Sequence, residues 1–81
     1  MVYIEKLDYC GHNINQLIVD KSGGKNNHVL RFTERKMPGT QLHDYSVSVD
    51  WSVGQYVATM HLNKNDLKEL IKNLQTLVDS M

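Results

Sequence analysis

From residue 45 to 53 the chain alternates without a fault. Tyr45, Val47, Val49, Trp51 and Val53 are apolar, and Ser46, Ser48, Asp50 and Ser52 between them are polar. Successive side chains of a strand point to opposite faces, so this pattern predicts an antiparallel strand with one apolar and one wet face. Gly54 and Gln55 interrupt it. Tyr56, Ala58, Met60 and Leu62 then resume it, alternating with Val57, Thr59 and His61. Two such runs around a glycine predict a hairpin of strands 45–53 and 56–62, with Gly54 at the positive φ that a tight turn or bulge requires.

Three earlier strands follow from weaker patterns. Residues 2–9 are β-prone but mixed, and Cys10, Gly11, His12 and Asn13 read as a turn-like break. Residues 14–20 form a second strand, in which Leu17, Ile18 and Val19 are apolar on both faces, as a central or doubly covered strand would be. Residues 20–27 are rich in turn formers, with Ser22, Gly23 and Gly24 at the tip. Residues 28–35 form a third strand, with Leu30 and Phe32 on one face. Pro38 and Gly39 mark the segment 36–44 as a loop, and a mobile one is expected there.

The period changes from two to 3.6 near the end. Leu67, Leu70, Ile71, Leu74, Leu77, Val78 and Met81 make a single helical stripe, with Lys64, Lys68, Lys72, Asn73 and Gln75 on the other side. Asn63 is a suitable N-cap, Asp66 places negative charge in the first turn, and Leu62 and Leu67 stand at hydrophobic-staple positions. A helix over 64–80 must lay its stripe on something, and the apolar face of the sheet is the available partner. The expected fold is α+β: one domain over 1–81, about five antiparallel strands, and a C-terminal amphipathic helix packed on one face.

Length sharpens this picture. A chain of 81 residues allows one domain with a modest core, and small domains of this kind lean on disulfides, metals or oligomerisation. Cys10 is the single cysteine, so no intrachain disulfide is available, and a lone cysteine fits a reducing compartment. No apolar run approaches the roughly 20 residues that span a bilayer, and the start of the chain has no signal-peptide pattern. A cytoplasmic protein without membrane contact is expected.

Little in the sequence points to catalysis. Cys10 and His12 flank Gly11, but two ligands do not make a zinc site, and His28, His43 and His61 lie at no ligand spacing. Ser22-Gly23-Gly24-Lys25 lacks the spacing, the following Ser or Thr and the following helix of a phosphate loop. The carboxylates are scattered, and His43 and Asp44, as strand neighbours, point opposite ways. The expectation is a non-enzymatic protein with no cofactor, no metal and no evident small-molecule substrate.

Charge gives the remaining signal. Nine basic and nine acidic residues cancel, unlike a non-specific nucleic-acid binder or an acidic mimic of nucleic acid. The distribution is uneven: residues 20–36 hold Lys21, Lys25, Arg31, Arg35 and Lys36 against Asp20 and Glu34. These five basic residues, with the loop 36–44, are the candidate contact surface. Arg31 and Arg35 share a strand face with Thr33, and Tyr3, Tyr9, Tyr45, Trp51 and Tyr56 are aromatics able to stack on bases if exposed. The polar row Ser46, Ser48, Asp50 and Ser52 is flat and lightly charged, and such a strand at a sheet edge invites pairing with another chain. A homodimer joined through sheet edges or helices and a monomer with a serine-rich solvent face both fit.

Several strands followed by a helix that opens Leu62-Asn63-x-x-x-Leu67 resembles, over residues 62–74, the small single-strand-binding transcriptional coactivator domains. This is an analogy of build. The sequence therefore supports first a small protein-binding or accessory protein whose partner is another protein or a second copy of itself. Inhibitors of bacterial or phage type often have this build. The alternative is a nucleic-acid-binding module using the basic hairpin 21–36.

Overall fold

A computed structural model describes residues 1–9, 11–23, 27–35 and 47–81, apart from the side chains of Tyr9 and His12. It has five strands, β1 (Val2–Tyr9), β2 (His12–Asp20), β3 (His28–Glu34), β4 (Val47–Val53) and β5 (Tyr56–Leu62), and one helix, α1 (Lys64–Asp79). The strands form one antiparallel sheet in chain order, β1-β2-β3-β4-β5, so β1 and β5 are its edges. The α+β architecture expected from the alternation and the helical stripe is the one observed.

The boundaries differ in detail. The second strand begins at His12 rather than residue 14, because Tyr9 pairs directly with His12. Gly11 supplies the positive φ there, at 81°. The third strand ends at Glu34 rather than 35, and the helix ends at Asp79, with Ser80 as its C-cap. The fourth strand is described from Val47, so the expected positions 45 and 46 lie outside the described residues, as does the loop 36–44. Gly54 has φ 60°, as the broken alternation predicts, and Val53 pairs with Tyr56 across the two-residue turn.

Helix α1 starts where the capping chemistry places it. The Asp66 backbone N–H donates to Asn63 Oδ1 at 2.8 Å, and the Asn63 N–H donates to Asp66 Oδ2 at 3.1 Å. This reciprocal capping box satisfies two groups that a helix start otherwise leaves open.

The core is thin. Among the described residues only Ile18, Val29 and Val47 are buried, at 4%, 9% and 8% exposure. Ile18, between Tyr3 and Arg31 in the register, and Val29 lie on the sheet face away from the helix, and Val47 lies on the helix side. The chain exposes 6633 Å², whereas a compact monomer of 9.3 kDa exposes about 5,000 Å². Its radius of gyration is 14.3 Å, against about 12 Å for a compact domain of this length. No helix among the described residues is long and apolar enough to cross a membrane.

Candidate interaction surface

Register sorts the side chains onto two faces. On the helix side, Ile4, Leu17, Phe32, Val49 and Met60 form one cross-strand row, and Val2, Val19, Leu30, Trp51 and Ala58 form the next. The helix lies over this side but does not seal it. A groove of about 580 Å³ is walled by Leu17, Leu30, Phe32 and Val47 of the sheet and by Leu67, Leu70, Ile71 and Leu74 of α1. A second, of about 530 Å³, runs beside the helix between Phe32, Val49, Met60 and Leu62 and the residues Asp66, Glu69, Leu70 and Asn73. The apolar stripe therefore faces the apolar sheet, as its period predicts, with open space on both flanks.

The consequence is exposed apolar surface concentrated on one side. No helix residue is buried, and only Leu67 and Leu70 are half-buried. Ile71 is 68% exposed, Leu77 57% and Val78 59%. In the strands, Val2, Ile4, Trp51, Tyr56 and Met60 are exposed on the helix side, and the exceptions on the other face are Tyr3 and Val57. Among the described lining residues, polar chemistry enters the first groove at Asn15 and Glu34. Glu34 accepts from the Asn15 backbone N–H at 3.0 Å and from Asn15 Nδ2 at 3.1 Å, tying β2 to β3 through a side chain.

The opposite face carries a polar lattice. Gln16 Nε2 donates to Thr33 Oγ1 at 2.8 Å, and Thr59 Oγ1 donates to Asp50 Oδ1 at 2.8 Å. Arg35 Nη1 donates to Ser48 Oγ at 3.1 Å, and Ser48 Oγ lies 3.3 Å from His61 Nδ1. Arg31 stands directly across from Asp50 and reaches Ser52 Oγ with a long 3.4 Å bond. The serines of the alternating strand thus serve as acceptors for the two arginines, a role that strand alternation alone does not reveal because it depends on register.

The candidate basic surface divides. Arg31 and Arg35 do share one face, as their spacing predicts. Lys21 is exposed and lines a small recess of about 170 Å³ with Val19, His28, Leu30 and Trp51, on the helix side. Lys25 and Lys36 lie outside the described residues. The arginine face also holds Glu5, Asp20 and Asp50 by alternation and register, so its charges largely offset one another. Asp20 is held below the ordinary carboxylate range, first by the Ser22 side chain, then by the Ser22 backbone N–H that donates to Asp20 Oδ1 at 2.8 Å, with a smaller Coulombic contribution from Arg31.

Cys10 and the His12 side chain, the residues considered for thiol or metal chemistry, lie outside the described ones. Among the described residues no three His, Cys, Asp or Glu side chains converge as a metal site would require. Every buried side-chain polar atom among them has a hydrogen-bond partner. No protein-family model matches the sequence, and neither the curated proteins nor the solved structures yield a match.

Proposed function

We propose that this chain is a small non-enzymatic binding protein that receives another polypeptide on the helix side of its sheet. The exposed apolar side chains gathered there carry the reading. Scattered apolar side chains are ordinary on a protein surface, whereas a contiguous patch marks an interaction site. The exposed residues include the aromatics Trp51 and Tyr56 and the methionine Met60, residue types enriched at interfaces.

The test is site-specific photo-crosslinking in cells. A photoreactive side chain at Ile71, on the stripe, is expected to give polypeptide adducts. The same group at Lys72, on the outer side of the helix, is expected to give few. Equal adducts from both positions, or none from Ile71, would sink the reading.

A second reading rests on Arg31 and Arg35 sharing one face with hydroxyl side chains. A nucleic-acid module using them would bind a single-stranded oligonucleotide with steep salt dependence, the logarithmic slope changing by about 0.7 for each phosphate neutralised. The replacements Arg31→Ala and Arg35→Ala would flatten that slope. The acidic neighbours Asp20 and Asp50 weigh against this reading, and absence of binding at low salt in an anisotropy titration would remove it.

A further inference from the structure

We infer that the polypeptide received on the helix side is a second copy of this chain, docked about a two-fold axis with its own helix side facing the first. This inference rests on the protein-binding reading and names its partner. Three observations carry it. The first is area. The chain exposes about 1,600 Å² more than a compact monomer of its mass, or about 3,200 Å² over a pair of copies. A standard interface buries about 800 Å² per partner, and permanent homodimers bury about 2,000 to 5,000 Å² in total. The surplus is summed over the whole chain, and the exposed apolar side chains of the helix side are the share of it that a second copy would cover.

The second is where the apolar residues stop meeting their own sheet. The first groove is lined as far along the helix as Leu74, while Leu77 and Val78 continue the stripe beyond it and are more than half exposed. A two-fold partner presents the same extension in return, so each copy supplies a stripe to be covered and a surface to cover it. The third is charge. The chain is neutral, and its patch is built from groups such as Trp51, Met60, Ile71 and Leu74. Two identical copies thus meet without the self-repulsion that a charged chain would carry.

Sedimentation equilibrium and thermal melting of the full chain, with Leu77→Asp and Val78→Asp as variants, test this. The wild type is expected at about twice 9.3 kDa, with a melting midpoint that rises with protein concentration, since dimerisation stabilises by mass action. Each variant is expected at the monomer mass with its far-UV circular dichroism retained, because neither position lines the groove within one copy. Should a variant fail to fold, the concentration dependence of the wild-type midpoint decides, and a constant midpoint overturns the proposal. A wild-type dimer whose mass neither folded variant lowers overturns this interface. A wild-type monomer that binds the apolar dye ANS overturns the second copy but leaves the protein-binding reading standing. A wild-type monomer that binds no dye overturns both.

Discussion

Gly54 holds φ at 60° where β4 turns into β5, and a Cβ built there meets no atom within 4 Å. The replacement Gly54→Ala therefore costs backbone strain and nothing from packing, about 1 kcal/mol. A lowered urea midpoint with an unchanged slope is the expected result, and no loss of stability would show that the turn tolerates another conformation. Asp20 gives a pH-dependent counterpart. Its folded carboxyl is held below the ordinary value of 3.8, so the charged form is favoured by folding. That stabilisation is fully present above the unfolded value and is lost as pH falls through the folded one. The stability gap between wild type and Asp20→Asn should be constant above about pH 5 and close progressively below about pH 4. A gap that widens on acidification would reverse the assignment. The two residues differ in how visible they are beforehand. The break in alternation exposes Gly54, whereas the environment of Asp20 depends on a turn geometry that Ser22 alone does not announce.

Strands and helix were legible because the apolar period changes cleanly from two to 3.6 after Leu62. Register was not legible, and register decides which polar groups meet. Asn15 and Glu34 are 19 residues apart and Ser48 and His61 are 13 apart, yet each pair is in contact. The same gap explains the divided basic set. Arg31 and Arg35 belong to one stretch of chain, where parity alone fixes a common face. Lys21 follows the end of a different strand, β2, and only the pairing of Val19 with Leu30 shows that it falls on the other side. Asn63 was recognisable as a cap, but its reciprocal bond with Asp66 appears only in the structure. The replacement Asn63→Ala should cost about 1 kcal/mol, read as a lower urea midpoint at fixed protein concentration. Asp66→Asn keeps an acceptor for the Asn63 N–H but removes the negative charge beside the helix dipole, so a smaller loss is expected. Equal losses would mean that charge, more than the hydrogen bond, sustains the helix start.

At the scale of the molecule, the apolar pattern predicts a covered face but not that one copy leaves half of the described apolar residues exposed. Amphipathic patterning records that a face must be covered and is silent on what covers it. The helix stripe and the helix side of the sheet match each other in period and chemistry, which favours packing within one chain. The grooves on both flanks of α1 show that this packing is incomplete. Trp51, the single tryptophan, reports on the outcome, because it is 52% exposed on the helix side of the sheet. A partner seated there removes water from the indole. Emission of the assembled protein should lie to the blue of a solvent-exposed indole and resist acrylamide quenching. Dilution through the dissociation range should shift the emission to the red, and Leu77→Asp should show the red-shifted spectrum at every concentration. Emission that is already red at high concentration and does not move on dilution would place Trp51 outside the contact. The interface would then be limited to the helix and the part of the sheet beneath it.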